Sequence, residues 1–335
     1  MPELPAANGG STALEIHGLK VYFPVYAGLL ARVHHYVHAV DDISFAVRRG
    51  SVFALVGESG CGKSTTALAV LNLVHKTAGE IRIRLQSRGG KPVSWEELNG
   101  RERRKLRGRM QVIFQDPFSS LNPRMTVSTL LQEPLRIHGM RGRAQRRERV
   151  ARLLSEVGLS TEYLRRYPHE FSGGQCQRIG IARALATEPE IVIADEPVSA
   201  LDVSIQAQII NLLQELQRQR GQTLLFISHD LAIVRHVADR IAVMYLGRIM
   251  EMGSEAQIFS SPLHPYTHLL LESLPVAGRG RSRKHRTEAE RVEQPETADS
   301  CPFYPRCPER TTACLEQAPP LVDKGEGHVV ACVNR

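Results

Sequence analysis

The sequence predicts an α/β protein built on a parallel sheet that is covered by helices. Apolar runs of strand length alternate with helical stretches, at residues 52–56, 112–114, 191–194, 224–227 and 241–244. This alternation is typical of parallel strands that are buried on both faces. A Gly-rich loop follows the first run, and two adjacent acids end the third. Ligands bind at the carboxyl ends of strands in such sheets, so both features predict a site there.

Length and composition fit a globular protein, for which any membrane role would need partner subunits. The chain has 335 residues, 42% of them hydrophobic, and a formal net charge of +8. No stretch approaches the roughly 20 apolar residues of a membrane span, and no export signal opens the chain. We therefore expect a cytoplasmic protein. Its basic charge suits nucleic acid or anionic lipid, although a solvated basic surface is the simpler explanation.

Two segments depart from the strand and helix alternation. Residues 127–167 place leucines and valines at helical spacing, which predicts a helical insertion between the second and third strands. Residues 276–300 hold few large apolar side chains and are expected to form a linker. The chain therefore consists of a core, an inserted helical part and a C-terminal extension.

The Gly-rich loop at residues 57–65, the phosphate loop, has the pattern and the context of a nucleotide-binding element. Its glycines let backbone N–H groups and the following helix N-terminus point at phosphates. Lys63 would reach the β and γ phosphates, and Ser64 would ligate Mg²⁺. Contacts with ATP are expected from Gly57, Ser59, Gly60, Cys61, Gly62, Lys63, Ser64 and Thr65, with no catalytic role for Cys61.

Asp195 and Glu196 end an apolar strand, where two neighbouring carboxylates are costly unless a cation compensates them. Asp195 is expected to bind Mg²⁺, directly or through water. Glu196 is expected to orient and deprotonate the attacking water. His229 follows the next strand and is expected to contact the γ-phosphate. A solvated strand end and a structural histidine are the alternatives.

Further motifs resemble the ATP-binding cassette family over about residues 14–258. Residues 171–178, FSGGQCQR, resemble its signature sequence, with Ser172 as the helix N-cap. Gln115 matches the family's Gln loop, and His229 its His loop. Residues 199–202 match the loop after the acidic strand. These motifs stand in the family's order and at its usual spacing.

The resemblance implies a P-loop NTPase cassette with a RecA-like parallel sheet, an antiparallel β edge and an inserted helical subdomain at about residues 125–185. The cassette would span residues 12–260, and a small Cys-rich extension residues 261–335. Lys63, Gln115, Glu196 and His229 would be catalytic, with Ser64, Gln115 and Asp195 around Mg²⁺. In this family each ATP lies between two cassettes, so the ATP of a partner would meet Ser172, Gly173, Gly174 and Gln175.

Adenine recognition rests on an aromatic residue upstream of the phosphate loop in this family. The residues Lys20, Val21 and Tyr22 align with that position, which makes Tyr22 the expected stacking residue. Tyr36 is the alternative, because the insertion at residues 24–37 shifts the alignment.

Within the family the chain looks most like oligopeptide and dipeptide importer ATPases, particularly the dipeptide-type second subunit. Residues 21–25, 116–124, 196–204 and 264–267 carry this likeness. It implies ATP-driven import of short peptides, at the cytoplasmic face of the cell membrane. Implied partners are a second, non-identical ATPase subunit, two integral membrane permeases and an extracytoplasmic peptide-binding protein. A soluble cassette ATPase acting on nucleic acid or ribosomes is the alternative.

The C-terminal cysteines Cys301, Cys307, Cys314 and Cys332 form a separate cluster. Four thiolates can hold Zn²⁺ or an iron–sulfur cluster, and a small module of this size is expected to need such a metal to stay folded. The absence of a Cys-x2-Cys pair weakens the zinc ribbon interpretation. The tail resembles that of peptide-importer ATPases whose four cysteines bind a [4Fe–4S] cluster. Cluster, zinc and free thiols remain open.

Overall fold

The computed structural model describes residues 12–27, 32–274 and 300–335. The predicted linker at 276–300 lies, except for Ser300, outside these ranges. No helix in the described part of the chain is both long and apolar enough to cross a membrane.

Strands and helices alternate along the described chain. The strands are β1 (Thr12–Ala27), β2 (Arg32–Arg48), β3 (Val52–Val56), β4 (Ala78–Arg84), β5 (Pro92–Val93), β6 (Met110–Ile113), β7 (Ile191–Asp195), β8 (Thr223–Ser228), β9 (Arg240–Tyr245), β10 (Arg248–Ser254), β11 (Val322–Asp323) and β12 (Val329–Val330). The helices are α1 (Lys63–Val70), α2 (Gly100–Arg109), α3 (Pro117–Ser120), α4 (Val127–Ile137), α5 (Arg143–Glu156), α6 (Gly173–Leu185), α7 (Val203–Arg220), α8 (Leu231–Val237), α9 (Glu255–Ser260), α10 (Pro265–Glu272) and α11 (Ala313–Glu316). Short 3₁₀ turns cover Gln86–Arg88, Thr161–Arg165, Pro168–Glu170 and Tyr304–Arg306.

The main sheet has the strand order β11-β12-β10-β9-β3-β8-β7-β6. Strands β9, β3, β8, β7 and β6 pair in parallel, which confirms the predicted parallel core. All five residues of β3 are buried, as expected for a strand covered on both faces. The boundaries of β6 differ from the prediction, because it spans Met110–Ile113 rather than residues 112–114. Parallel pairing brings the carboxyl ends of β3, β6, β7 and β8 to one edge.

The predicted antiparallel edge forms a separate four-stranded sheet with the order β2-β1-β4-β5. Its strands pair antiparallel throughout. Phe45 of β2 stacks on Phe53 of β3, with ring centroids 4.8 Å apart, and both rings are fully buried. Apolar packing of this kind fixes the second sheet beside the start of the phosphate loop.

The helical insertion lies between β6 and β7 and contains α3 to α6. The apolar positions predicted from helical spacing are all buried: Leu130, Leu131, Leu135, Val150, Leu153, Leu154 and Val157. Their burial against α6 is the main source of stability for this part, since isolated helices of 11 to 14 residues are marginal. The insertion thereby fixes the start of α6, where the signature sequence lies.

The C-terminal extension is joined to the main sheet. Strand β12 pairs with β10, and the Ala331 N–H donates to the Met250 carbonyl at 2.8 Å. The fully buried Glu251 of β10 accepts the N–H groups of Leu263 and His264 at 2.8 and 2.9 Å. The extension also contributes side chains to the core of the cassette. Its Phe303 is fully buried in the core of the cassette, so metal is not its sole source of packing.

Candidate nucleotide and metal sites

The phosphate loop takes the sharp curve from β3 into α1 that its glycines allow. Gly57 has φ 150° and Gly62 has φ 105°, both in the region that favours glycine. A Cβ atom at Gly57 would lie 2.1 Å from the Met244 carbonyl oxygen, and one at Gly62 would lie 2.1 Å from that of Ala39. Only glycine fits at these two positions. The loop is therefore held between β9 and β2.

Lys63 lies beneath the loop and is 4% exposed. Its ammonium group donates to the carbonyl oxygens of Gly57 and Glu58, each at 2.8 Å. It also lies 3.6 Å from the Cys61 sulfur. Ser59, Gly60 and Ser64 of the same loop face solvent. The buried ammonium therefore lies against the backbone of a loop whose outer residues reach solvent, which fits a phosphate site.

Ser64 and Asp195 meet at the edge of the main sheet, where the Ser64 hydroxyl donates to Asp195 at 2.9 Å. Burial raises the pKa of Asp195, and the neighbouring Glu196 raises it further, while the Ser64 hydrogen bond opposes them. A carboxylate that is partly desolvated in this way gains most from a nearby cation. The oxygen donors at this point fit Mg²⁺, which prefers carboxylate, hydroxyl and water ligands.

The Glu196 carboxylate contacts two side chains that lie in separate loops. Gln115, after β6, donates its amide to one carboxylate oxygen at 3.0 Å, and the His229 Nδ1 lies 3.0 Å from the other. The Glu196 backbone has φ 45°, and its N–H donates to the Ile227 carbonyl at 2.9 Å. This uncommon backbone conformation for a non-glycine residue turns the carboxylate into the space between the two loops.

The signature sequence opens α6 with a capping box. The Ser172 hydroxyl accepts the Gln175 N–H at 3.4 Å, and the Gln175 side chain accepts the Ser172 N–H at 3.1 Å. A Cβ at Gly174 would lie 2.5 Å from the Ile205 side chain, so glycine permits close packing of α6 on α7. Ser172 is exposed and hydrogen-bonded within its own helix. Its free surface is therefore available to a second molecule.

Gln177, which the sequence analysis did not single out, links the signature helix to the acidic edge. Its side-chain amide donates to the Pro197 carbonyl at 2.6 Å and to the Phe114 carbonyl at 3.4 Å. The residue is 1% exposed, so both bonds are shielded from water. Pro197 follows Glu196, and Phe114 precedes Gln115. Gln177 therefore holds the backbone next to each of these two site residues. Its position in the signature helix was visible in the sequence, but its partners were not.

Tyr22 lies on β1 with its ring stacked on His38 of β2, at a centroid distance of 3.9 Å. Its hydroxyl donates to Asp41 at 2.5 Å, and burial together with Asp41 raises the pKa of the phenol. One face of the ring is thus already covered by an imidazole. The alternative, Tyr36 of β2, is 54% exposed. Adenine stacking on Tyr22 would have to use the opposite ring face.

The four C-terminal cysteines lie in residues 300–335, the cysteine module. The Cys301 N–H donates to the Cys314 carbonyl at 2.9 Å. Burial raises the pKa of the Cys301 thiol to about 11, with smaller contributions from Cys314, Cys307 and Cys332. Across the described residues, no group of three or more His, Cys, Asp or Glu side chains is arranged to hold a metal ion. The thiols are therefore neighbours without being assembled as ligands.

Two C-terminal residues, Arg306 and Tyr266, contact the phosphate loop. Neither has a role that was predicted from the sequence. Arg306 forms an ion pair with Glu58, and the Glu58 N–H donates to the Tyr266 hydroxyl at 3.1 Å. These partners are separated by 248 and 208 positions along the chain. No local pattern in the sequence indicates such a contact.

Two family models and several known proteins match this chain. Residues 40–199 match the family described as ABC transporter, and residues 250–314 match the family described as oligopeptide/dipeptide transporter, C-terminal region. The chain is 47% identical to the oligopeptide transport ATP-binding protein AppF of Bacillus subtilis (strain 168), over 98% of this chain and 99% of that protein. It is 48% identical to the glutathione import ATP-binding protein GsiA of Pectobacterium atrosepticum, over 95% of this chain and 48% of that protein.

Among solved structures, the chain resembles the cassette MJ0796 in a dimeric, post-hydrolysis state bound to ADP and Pi. The TM-score is 0.62 at 26% identity, over 72% of this chain and 98% of that one. The predicted P-loop cassette fold, with its combination of parallel and antiparallel sheets, is thereby confirmed.

Proposed function

The chain belongs to the ABC transporter ATPases, and we propose that it hydrolyses ATP to drive peptide uptake through a membrane importer. The observation that carries the proposal is the convergence of Lys63, Ser64, Asp195, Glu196 and His229 at one edge of the parallel sheet. Its relatives are oligopeptide and glutathione import ATP-binding proteins, which favours this function over an ATPase that acts on nucleic acid or ribosomes.

ATP would be bound mainly by the backbone of the phosphate loop. The residues assigned to it remain Gly57, Ser59, Gly60, Cys61, Gly62, Lys63, Ser64 and Thr65. Lys63 would exchange its two carbonyl partners for the β and γ phosphates, which are stronger acceptors because they are charged. The N-terminus of α1 adds its dipole to the same point. We assign the adenine to the open face of Tyr22, with Tyr36 as the alternative.

Ser64, Asp195 and Gln115 would hold Mg²⁺, which neutralises charge on the β and γ phosphates during the reaction. The chain's own part of the chemistry centres on Glu196. Its carboxylate, positioned by Gln115 and His229, would accept a proton from the attacking water. His229 would also donate to the γ-phosphate.

A second cassette would complete the site. Ser172, Gly173, Gly174 and Gln175 present a helix N-terminus that remains accessible, and such a terminus stabilises an anion. We infer that they contact ATP bound by a partner cassette, as the dimeric state of the similar cassette MJ0796 supports. The partner proposed is a second, non-identical ATPase subunit.

The importer itself would require further subunits. We propose two integral permeases, an extracytoplasmic binding protein and a peripheral position for this chain at the cytoplasmic face of the membrane. Gln115 and the helical insertion would transmit cassette closure to the permeases. Relatives of similar identity import oligopeptides and glutathione, and the transported molecule would be selected by the other subunits.

The cysteine module is proposed to bind a [4Fe–4S] cluster through Cys301, Cys307, Cys314 and Cys332, with Zn²⁺ as the alternative. Four neighbouring thiols are a suitable donor set for either. Assembly would require the thiols to lose their protons and to turn toward one point, since they are not arranged as ligands here. The division of the chain into a cassette at 12–260 and an extension at 261–335 remains a prediction.

The test is isolation of the complex under native conditions from the source membrane. We expect the chain to copurify with integral membrane proteins, and its ATP hydrolysis to be stimulated by a peptide together with the binding protein. Hydrolysis without associated membrane proteins, but stimulated by nucleic acid or ribosomes, would contradict the importer function.

A further inference from the structure

The C-terminal extension contacts the phosphate loop through Arg306 and Tyr266. The Arg306 guanidinium donates to both carboxylate oxygens of Glu58, at 2.8 and 2.9 Å. A two-bond pairing of this kind fixes the direction of the carboxylate as well as its distance. Each side chain is 33% exposed, so the pair is partly shielded from solvent.

A second contact holds the backbone of the same loop residue. The Glu58 N–H donates to the Tyr266 hydroxyl at 3.1 Å, and Tyr266 of α10 is fully buried. The rings of Tyr245, Tyr266 and Phe303 pack together, with centroid distances of 4.7 to 5.4 Å. The Arg306 guanidinium lies over Tyr245 and Phe303. This aromatic cluster therefore fixes both the Tyr266 hydroxyl and the Arg306 guanidinium, which are hydrogen-bonded to Glu58.

Glu58 is also the point where the loop's internal bonds meet. Its carbonyl accepts the Lys63 ammonium at 2.8 Å and the Cys61 N–H at 3.3 Å. The Gly57–Glu58 peptide is held on both sides, because its N–H donates to Tyr266 and its carbonyl accepts Lys63. A fixed peptide at this position sets the curve of the loop and the direction of the N–H groups that follow.

We propose that Arg306 and Tyr266 are positioning residues of the nucleotide site, which hold Glu58 so that the phosphate loop is preformed for ATP. The extension would thereby complete the site in the same molecule, whereas the signature sequence would complete it in a partner. A preformed loop binds more tightly because less ordering accompanies binding. The inference rests on the ATPase function proposed above.

The test is the affinity of the full-length chain for a fluorescent ATP analogue with Mg²⁺. Arg306→Met keeps an unbranched side chain on the aromatic cluster but removes the charge. We expect affinity to fall about fivefold, the factor that a partly exposed ion pair supplies. Arg306→Lys should recover part of the loss. Arg335→Met is the matched control, because it breaks a tail ion pair with Glu309 that does not contact the loop.

A double-mutant cycle separates positioning from general stabilisation of the tail. Glu58→Gln alone should weaken binding by a similar factor, and Arg306→Met should add little in that background. If Arg306 only stabilised the tail, its effect would be the same in both backgrounds, and the proposal would be overturned. An unchanged affinity for Arg306→Met alone would also overturn it.

Tyr266→Phe tests the backbone contact, with Tyr304→Phe as the tail control. We expect KM for ATP to rise while kcat changes less than about twofold, because a positioning residue acts on loop geometry before chemistry. Equal values for Tyr266→Phe and the control would remove Tyr266 from the proposal. If the wild-type chain bound no nucleotide, the proposed ATPase function would fail instead, so the two failures are distinguishable.

Discussion

The nucleotide site and the cysteine module differ in how closely their functional side chains are arranged. In the nucleotide site, Ser64 already meets Asp195, while Gln115 and His229 already meet Glu196. In the cysteine module the four thiols are neighbours but are not arranged as ligands. The first site is shaped by a parallel sheet, whereas the second lies in short turns and two-residue strands. Changes in the second should therefore reach the first mainly through the contact between Arg306 and Glu58.

Ser172→Arg should have the largest effect on the preorganised site, because it places a long cation where a partner's ATP is expected. We predict unchanged nucleotide binding by the isolated chain and no measurable hydrolysis by the assembled complex. Ser160→Arg is the control, since Ser160 also caps an exposed turn, at Thr161–Arg165. Normal hydrolysis by the Ser172 variant in the complex would show that the site is not shared.

Cys307→Ser should abolish metal binding by the cysteine module and should weaken ATP binding only to a limited extent. Protein purified without oxygen is expected to carry about four irons per chain, as the four-cysteine resemblance implies, and the variant should lose them. Its affinity for ATP should fall no further than that of Arg306→Met, because Arg306 carries the ion pair between this module and Glu58. Metal analysis and nucleotide titration measure both. One zinc without iron would change the metal assignment, and no metal would remove it.

Tyr22→Ala tests the part of the nucleotide site that is least defined by the sheet. If adenine stacks on the open ring face, affinity for ATP should fall about tenfold, as the loss of one base stack predicts. Tyr36→Ala is the matched variant from the facing strand and should change affinity little. The reverse result would move the assignment to Tyr36.

His264→Asn should have the smallest effect at neutral pH and tests how the extension is attached. Burial lowers the pKa of His264 to about 4, with Arg335 and His268 contributing, while its Nδ1 accepts the Tyr266 N–H at 3.0 Å. The unfolded chain takes up this proton near pH 6.5, so stability is retained above that pH and is lost as pH falls toward 4.

The difference between the pKa of His264 in the folded protein, about 4, and its ordinary value of 6.5 corresponds to a loss of roughly 2 kcal/mol in the free energy of unfolding at pH 5. Asn can still cap α10 but does not titrate, so the variant's Tm should fall by a few degrees less than that of wild type between pH 7 and pH 5. Glu251, which accepts the His264 N–H, is retained in both proteins. An identical pH response would exclude His264 as the titrating group.

Sequence patterns predicted the parts of the molecule in which local structure sets geometry. The strands ending at the phosphate loop, Asp195 and Ser228 were predicted from apolar runs, because burial on both faces requires such runs. Their parallel pairing then placed Ser64 beside Asp195, and His229 beside Glu196. The N-cap at Ser172 was also predicted from the sequence, because capping depends on residues that are close along the chain.

The remaining features depend on contacts that no local pattern records. The pairing of Val330 with Glu251 joins the tail to the sheet through a strand of two residues, too short to give a periodic signal. Arg306 meets Glu58 across 248 positions. The stacking of Tyr22 on His38 depends on the register of β1 and β2, which contains several shifts.

The most direct test of the central claim compares ATP binding and ATP turnover in Glu196→Gln. The substitution keeps the side chain's size and one acceptor oxygen but removes the base, so we predict wild-type affinity and turnover reduced at least about 100-fold. Glu148→Gln is the control, since the Glu148 side chain is 71% exposed and its ion-pair partner Arg152 is 61% exposed. Turnover close to wild type in the Glu196 variant would contradict the assignment of the acidic edge and, with it, the proposed mechanism of hydrolysis.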